Sequence, residues 1–297
     1  MTEAVPHLVS CQWLKDHLNQ PDIRVVDMRG YVVTRQIEQG VDQADYKGAY
    51  LEYLQGHIPG STYIDWTNHI VDLNDPVPAQ IAPPDKFTEA IRSRGINSDS
   101  HVIAVDHAGG QFATRLWWAL KYYGHDRVSV LDGGYIRWHE LDLPLEEGVA
   151  QSCEHGNFTP NLRSSLRMTA QELGQRLQDP DLQIVDARDS AQYSGAKRRG
   201  SRGGHIPGAI SLPREKFLAE GGGFEPVEQL TSLIEEKNIS KNKPVVAYCN
   251  GGVAATVVLF NLSRLGFTEL ANYDGSWNEW SERPELPAVL SEQKSHP

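Results

Sequence analysis

One cysteine, Cys249, stands where a nucleophile would be well prepared. It follows an apolar, strand-like run, residues 244–248 (PVVAY), and precedes Asn250 and two glycines, after which a small-residue helical pattern begins at Val253. In an open α/β sheet, ligands bind at such strand–loop–helix corners, beside the carboxyl ends of the strands. Backbone N–H groups and the positive end of the helix dipole favour a thiolate there. The sequence therefore predicts a cysteine nucleophile in an anion-binding loop.

The composition is that of an acidic globular protein with free thiols. The 297 residues carry a formal charge of −11, which argues against nucleic acid and anionic membrane surfaces as partners. No apolar run reaches the ~20 residues of a membrane-spanning helix, and the N-terminal residues lack the pattern of a signal peptide. Three widely spaced cysteines, Cys11, Cys153 and Cys249, fit a reducing compartment better than a disulfide framework. We therefore expect a cytoplasmic protein.

The chain repeats itself once. Residues 25–29 (VVDMR) return as residues 184–188 (IVDAR), and residues 56–60 return unchanged as residues 204–208 (GHIPG). A period of this length indicates tandem domains rather than a solenoid of short repeats. The predicted organisation has three parts: an N-terminal domain at 1–147, a linker at 148–163 and a C-terminal domain at 164–297.

Each half alternates strand-like runs with helical ones. In the first half a strand at 102–105 precedes a helix at 113–123 and a strand at 128–131. In the second half a strand at 245–248 precedes a helix at 253–265, and a glycine follows each helix as a stop signal. Units of this kind pair their strands in parallel and carry helices on both faces of the sheet. The predicted fold class is α/β, with two small doubly wound domains.

The same corner occurs in the first half without its nucleophile. Aligning Thr114 with Thr256 places Asp106 opposite Cys249. A carboxylate cannot perform thiol chemistry, and it can at most cap the helix that follows. The duplicated fold therefore keeps its chemistry once, in the C-terminal half.

These features together resemble the two-domain rhodanese family, the thiosulfate and 3-mercaptopyruvate sulfurtransferases. The resemblance rests on GHIPG in both halves, on residues 185–188 (VDAR), on the loop 249–254 (CNGGVA) and on residues 274–277 (DGSW), and it spans about residues 25–280. It implies two tandem rhodanese-like domains with parallel sheets. The N-terminal domain would be catalytically silent, the C-terminal one would be catalytic, and the site would lie in the cleft between them.

The resemblance implies a double displacement at Cys249. The thiolate attacks the outer sulfur of thiosulfate or the thiol sulfur of 3-mercaptopyruvate. It thereby releases sulfite or pyruvate and becomes a persulfide. Cyanide, a thiol or a reduced carrier then discharges that persulfide. Its expected cradle is formed by the residues that follow the cysteine: Asn250, Gly251, Gly252, Val253 and Ala254. The expected partners are thus a small anionic sulfur donor and a thiophilic acceptor, with no metal and no organic cofactor.

The loop disfavours one neighbouring chemistry and leaves the sulfur donor open. A cysteine phosphatase needs an arginine six places after its cysteine to clamp phosphate, and this chain has Ala255 there. Family members that act on thiosulfate often carry a basic residue at the position of Gly251, whereas mercaptopyruvate enzymes have a small neutral loop containing a serine that is absent here. An acidic residue of their proton relay corresponds to Asp65, and the relay's next position, within residues 75–78 (DPVP), has no histidine.

A further set of residues could recognise the anionic end of the donor. The family usually places an arginine where this chain has Gln192, and a basic run follows at residues 197–202 in an otherwise acidic protein. Guanidinium groups match carboxylates and sulfonates in geometry and charge. Arg188 is favoured as a structural ion pair, because Arg29 repeats it in the first half. The candidate substrate-binding residues are Arg188, Gln192, Arg198, Arg199 and Arg202.

The same departures from the family pattern permit a second function. With Gln192 in place of the usual arginine, and without the relay histidine, the chain is also compatible with a persulfide carrier or interaction module. Such a module would be loaded by a protein partner and would turn over small donors poorly.

Overall fold

The computed structural model describes residues 5–107, 109–150 and 153–291. Outside these ranges lie the outer ends of the two predicted domains, position 108 of the first-half loop, and positions 151–152 of the predicted linker.

The N-terminal half is built on a five-stranded parallel sheet with a separate hairpin. In chain order its strands are β1 (Leu8–Val9), β2 (Ile23–Asp27), β3 (Gly30–Glu38), β4 (Val41–Gly48), β5 (Thr62–Tyr63), β6 (His101–Val105) and β7 (Val128–Leu131). The parallel sheet has the order β1-β7-β6-β2-β5, and β3 and β4 pair antiparallel as the hairpin. Its helices are α1 (Cys11–His17), α2 (Tyr50–Gln55), α3 (Pro84–Arg92), α4 (Gln111–Tyr122) and α5 (Gly134–Glu140).

The C-terminal half repeats that plan without a corresponding hairpin among its described residues. Its strands are β8 (Arg167–Met168), β9 (Gln183–Asp186), β10 (Ile210–Ser211), β11 (Val245–Tyr248) and β12 (Leu270–Tyr273). They form a parallel sheet in the order β8-β12-β11-β9-β10, which matches the first sheet strand for strand. Its helices are α6 (Ala170–Gln175), α7 (Ser190–Ser194), α8 (Val227–Glu236), α9 (Ala255–Arg264) and α10 (Ser276–Trp280).

The central strands form because their apolar runs are buried on both faces. Every residue of β6 and of β11 is buried, as expected for parallel strands covered by helices on each side. Helix α4 begins two residues earlier than the sequence predicts. Helix α9 begins two residues later than predicted. None of the helices in the described ranges is long and apolar enough to cross a membrane.

The two halves pack directly against each other through α4 and α9. Thr114 and Thr256, which the sequence alignment makes equivalent, meet with their hydroxyl oxygens 2.8 Å apart. Near them the rings of Trp117 and Phe260 pack edge to face at 5.2 Å. One apolar cluster contains buried side chains of both halves. The two halves therefore share a continuous apolar core.

The described part of the predicted linker runs over the N-terminal half. Residues 153–163 contain no helix or strand. The N–H of Gly156 donates to the carbonyl of Arg92 at 2.8 Å, and the side chain of Phe158 is buried. This segment therefore crosses from one half to the other as packed chain.

Candidate active site

Cys249 lies at the carboxyl end of β11, the central strand of the second sheet, and only 4% of it is exposed. Its N–H donates to the hydroxyl oxygen of Ser276 at 3.0 Å, and its carbonyl accepts from the N–H of Trp277 at 3.0 Å. Both partners belong to α10. The cysteine backbone is therefore held on two sides at a strand–loop–helix corner.

The loop after Cys249 offers a row of amide donors. The N–H groups of residues 250–254 donate no hydrogen bond to any described residue. The carbonyl of Gly252 is engaged instead, since it accepts from the side chains of Asn272 at 2.9 Å and Arg115 at 3.2 Å. A loop whose N–H groups are unoccupied can place several partial positive charges around one anion. This is the backbone property that a persulfide cradle requires.

Gly252 is the residue on which the shape of this loop depends most. Its φ is +71°, and a Cβ at this position would lie 2.6 Å from the carbonyl oxygen of Asp274. We expect Gly252→Ala to lower the melting temperature and to slow persulfide formation, because the left-handed conformation costs about 1–2 kcal/mol for a non-glycine residue and the clash displaces the loop. Gly208 is a matched control, because its φ is +78° and nothing lies within 4 Å of its missing Cβ.

Thermal unfolding and the rate of thiolate alkylation at Cys249 check this prediction. Gly208→Ala should show only the backbone cost. Equal losses of stability in the two variants, with alkylation of Cys249 unchanged in both, would contradict the clash.

A cavity of about 210 Å³ opens beside Cys249. Its walls are formed by the loop after β11, by the segments after β9 and β10, and by the hairpin of β3 and β4 from the other domain. Gln111 at the start of α4 also lines it. The lining residues are Val32, Thr34, Tyr46, Gln111, Ala187, Arg188, Asp189, Gln192, Arg199, Arg214, Glu215, Cys249, Asn250, Gly251, Val253 and Ala254. The cleft between the domains thus contains the cysteine and most of its loop.

Three arginines line this cavity: Arg188, Arg199 and Arg214. Arg199 donates from its terminal nitrogen to the hydroxyl of Thr34 at 2.5 Å, whereas its buried Nε has no hydrogen-bond partner among the described residues. Arg214 contacts Glu215 through Nε at 3.0 Å, and 26% of its side chain is exposed. An unpartnered guanidinium nitrogen next to a nucleophile suits a substrate carboxylate or sulfonate.

Gln192 positions the first residue of the loop. It is buried, and its side-chain oxygen accepts from the Asn250 amide at 2.9 Å. The Asn250 side-chain oxygen is itself buried without a partner in the described part of the chain. Gln192 thus joins the segment after β9 to the loop, and it does so without adding charge to the cavity.

The similarity to known proteins covers both halves of the chain. A family model for the rhodanese-like domain matches residues 10–141 and 169–283. This chain belongs to the rhodanese-like family. The 3-mercaptopyruvate sulfurtransferase of Escherichia coli (strain K12) is 33% identical over 282 residues, which are 94% of this chain and 96% of that protein.

Two further relatives extend this similarity. The mitochondrial thiosulfate/3-mercaptopyruvate sulfurtransferase 1 of Arabidopsis thaliana is 29% identical over an alignment of 311 positions, which covers 97% of this chain and 79% of that one. A crystal structure of SseA from Escherichia coli, described as a 3-mercaptopyruvate sulfotransferase with the rhodanese fold, superposes with a TM-score of 0.78 at 30% identity, covering 92% of this chain and 99% of that one. The predicted family, the tandem rhodanese-like α/β fold and the enzyme class, a sulfurtransferase, are confirmed.

Arg188 of this rhodanese-like chain is occupied by a buried ion pair. It contacts Asp186 at 2.6 Å, and it donates to the carbonyl of Gly204 at 2.7 Å. In the N-terminal half Arg29 pairs with Asp27 at 2.9 Å and donates to a glycine carbonyl of the first GHIPG motif in the same way. The N-terminal half, which has Asp106 in place of the cysteine, contains the same ion pair and the same contact. The main task of Arg188 is therefore to hold the GHIPG turn.

The other two arginine candidates lie away from the cavity wall. Arg198 donates to the carbonyls of Gly200 and Ser201, both at 3.1 Å. Arg202 donates to the carbonyl of Trp280 at 2.7 Å. Of the predicted basic run, the structure brings only Arg199 to the wall beside Cys249.

The residue at the family's relay position, Asp65, lines a different cavity, together with His69 and Arg94. Its side chain accepts from the hydroxyl of Thr67 at 2.6 Å. Burial, and then the charge of Arg94, lower the pKa of His69. Asp65, His69 and Arg94 therefore line a cavity separate from the one that contains Cys249.

Asp106 occupies the position equivalent to Cys249 and caps a helix. Its carboxylate accepts from the N–H groups of Phe112 at 3.1 Å and Ala113 at 3.3 Å, in the first turn of α4. These bonds use the helix end that an anion would otherwise occupy. No group of three or more His, Cys, Asp or Glu side chains within the described residues is placed to hold a metal ion.

Sequence reasoning missed eight residues that line the cavity: Val32, Thr34, Tyr46, Gln111, Ala187, Asp189, Arg214 and Glu215. The first three lie on the hairpin of β3 and β4. Residues 31–38 (YVVTRQIE) are rich in strand-forming side chains and Gly40 marks a turn, whereas residues 41–48 (VDQADYKG) carry little strand signal. That signal does not reveal which distant surface the hairpin covers.

Proposed function

We propose that this sulfurtransferase takes a sulfane sulfur from 3-mercaptopyruvate onto Cys249 and passes it from the resulting persulfide to a thiol or to cyanide. The observation that carries the proposal is the position of Cys249. It precedes five residues whose amide N–H groups donate to no described residue, and it lines a cavity together with Arg199, whose Nε has no partner in the described part of the chain. A small cavity lined by arginines, with a nucleophile at its wall, suits a small anion with a transferable sulfur.

In the first half-reaction the Cys249 sulfur attacks the donor sulfur, and the bond from that sulfur to the rest of the donor breaks. The negative charge that accumulates on the outer persulfide sulfur is stabilised by the loop N–H groups, which are already in place before the reaction. In the second half-reaction an acceptor thiolate or cyanide attacks the outer sulfur, and Cys249 leaves as a thiolate. The protein needs only to bind, orient and stabilise charge in both steps.

Three observations favour 3-mercaptopyruvate over thiosulfate as the donor. The loop is neutral and small at Asn250 and Gly251. The cationic groups, Arg199 and Arg214, lie on the cavity walls and not in the loop itself. In that position they could hold the carboxylate at one end of a three-carbon molecule. The bacterial relative described above is named for 3-mercaptopyruvate.

The carrier alternative is disfavoured by the burial of the nucleophile. Only 4% of Cys249 is exposed, and the hairpin of β3 and β4 forms one wall of the cavity beside it. A partner protein would have to insert a flexible segment to exchange sulfur with this thiol. Small donors and acceptors enter such a cavity without that cost.

Three free cysteines among the described residues fit the reducing conditions of a cytoplasmic enzyme.

Steady-state and single-turnover assays with the two donors test the proposal. We expect a cyanide-labile mass increase of one sulfur on Cys249, formed faster from 3-mercaptopyruvate than from thiosulfate. Faster loading by thiosulfate would overturn the donor assignment. Absence of any adduct from either donor would favour the carrier alternative.

Replacing Arg199 tests recognition of the donor carboxylate. We expect Arg199→Gln to raise the KM for 3-mercaptopyruvate about 10- to 100-fold with a smaller change in kcat, since a hydrogen bond to a charged group contributes about 1.5–3 kcal/mol. Arg35→Gln is the matched control, because Arg35 follows Thr34, the partner of Arg199, on β3 and its side chain is 60% exposed. An unchanged KM for Arg199→Gln would contradict this role.

A further inference from the structure

Tyr46 is a cavity residue supplied by the opposite domain. It lies on β4 of the hairpin and lines the cavity together with Cys249. Its ring packs against that of Trp66 with centroids 5.2 Å apart, which fixes the direction of the side chain. The N-terminal domain, which lacks the nucleophile, thus contributes a hydroxyl to the catalytic cavity of the C-terminal domain.

The hydroxyl of Tyr46 is held against the loop that follows Cys249. Its oxygen accepts from the side-chain amide of Asn278 at 3.1 Å, and a Cβ added to Gly251 would lie 3.1 Å from the same oxygen. No described residue accepts a hydrogen bond from the Tyr46 O–H group. The group is therefore oriented by Asn278 while its proton remains available to a molecule in the cavity.

The protonation state of this hydroxyl suits a proton donor. Burial raises the pKa of Tyr46, and negative charge on Cys249 raises it further, although the hydrogen bond from Asn278 acts in the opposite direction. The hydroxyl is therefore protonated at neutral pH while the cysteine attacks.

The two donors differ in what their leaving groups need. When the carbon–sulfur bond of 3-mercaptopyruvate breaks, its electron pair moves onto the carbon skeleton and forms the enolate of pyruvate, which must gain a proton. When the sulfur–sulfur bond of thiosulfate breaks, sulfite leaves with the electron pair and needs no proton. The arginines of the cavity hold their protons too tightly to serve as acids, and the amides of Gln192 and Asn250 do not release theirs. The relay residue Asp65 lies at a different cavity.

We propose that the Tyr46 hydroxyl protonates the departing enolate of pyruvate in the first half-reaction. The assignment rests on the proposed function, because only the 3-mercaptopyruvate reaction requires this proton. Cys249 forms the new sulfur–sulfur bond, the carbon–sulfur bond breaks, and the proton of Tyr46 moves to the methylene carbon to give pyruvate. The persulfide retains the proton of the donor thiol and returns it to the tyrosinate, so that no external acid or oxidant is consumed.

Measuring the two half-reactions separately in Tyr46→Phe tests this role. The first is followed as single-turnover persulfide formation from 3-mercaptopyruvate, by intact mass. The second is followed as cyanide discharge of protein that polysulfide has loaded with sulfur, which requires no proton from Tyr46. We expect Tyr46→Phe to slow the first half-reaction about 100-fold, the lower end of what a general acid contributes, and to change the second by less than about threefold.

Tyr31→Phe is the matched control, since Tyr31 lies on the same hairpin with 41% of its surface exposed. It should leave both half-reactions unchanged. Unchanged persulfide formation in Tyr46→Phe would overturn the proposal. Equal slowing of both half-reactions would also overturn it, because that pattern indicates displacement of the hairpin. Failure of the unmodified protein to load from 3-mercaptopyruvate would refute the donor assignment, and with it the role of Tyr46.

Discussion

Replacing Cys249 with serine is expected to lower sulfur transfer by about 10⁴-fold or more, the scale of loss when a covalent nucleophile is removed. A serine hydroxyl is not ionised near neutral pH and forms no stable counterpart of a persulfide. The protein should remain folded, because the main-chain bonds of Cys249 to Ser276 and Trp277 involve backbone atoms of residue 249 only.

Intact-protein mass after exposure to 3-mercaptopyruvate measures this effect directly. The unmodified chain should gain one sulfur that cyanide removes, and Cys249→Ser should gain none. Cys153→Ser is the control, because Cys153 is an exposed free thiol and its loss should leave the adduct intact. Burial raises the pKa of Cys11 to about 11, so this thiol should not form the adduct near neutral pH. A cyanide-labile sulfur on Cys249→Ser would place the chemistry elsewhere.

Replacing Arg115 with alanine is expected to produce the largest loss of stability. Arg115 lies on α4 of the N-terminal half, and it pairs with Asp274 of the C-terminal half at 2.6 Å, with side-chain exposures of 2% and 1%. It also donates to the carbonyls of Ala79 and Gly252. Removing one member of a buried ion pair costs about 3–5 kcal/mol, because the remaining charge is left buried with too few partners.

Chemical denaturation and the rate of persulfide formation together check the Arg115→Ala prediction. Both should fall, since the same guanidinium joins the two domains and supports the loop at Gly252. Arg137→Ala serves as the control, because the Arg137–Glu140 pair is half exposed on both sides, and such surface pairs contribute about 0–1 kcal/mol. A similar loss of stability in both variants would contradict the importance of the interdomain pair.

The main features of the fold could be predicted because they depend on local patterns. The apolar run before Cys249 must form a buried strand, and the small-residue pattern after Gly252 must form a helix, wherever the rest of the chain lies. The helix α9 begins at Ala255 rather than at Val253. The loop carbonyl of Gly252 bonds to Asn272 and Arg115, which are distant in sequence, and such contacts decide where a helix starts.

The selection among the basic residues could not be predicted from the sequence. Arg198, Arg199 and Arg202 lie within one irregular segment, in which no helical or strand period fixes the direction of a side chain. The backbone of Arg198 bonds to Gly40 at the tip of the hairpin, with its N–H 2.8 Å from the Gly40 carbonyl oxygen. This contact sends the next side chain, Arg199, toward Thr34 and the cavity.

The sequence by itself determined the duplicated α/β plan and predicted Cys249 as the nucleophile with Asp106 as its counterpart, because each is written in contiguous residues. Only the tertiary structure decided which side chains share the cavity with Cys249. Tyr46 and Arg199 lie 203 and 50 positions before it in the chain, and they reach it because the hairpin of one domain packs over the sheet edge of the other. Contacts between segments so far apart depend on how the two cores pack together, which no local pattern of residues specifies.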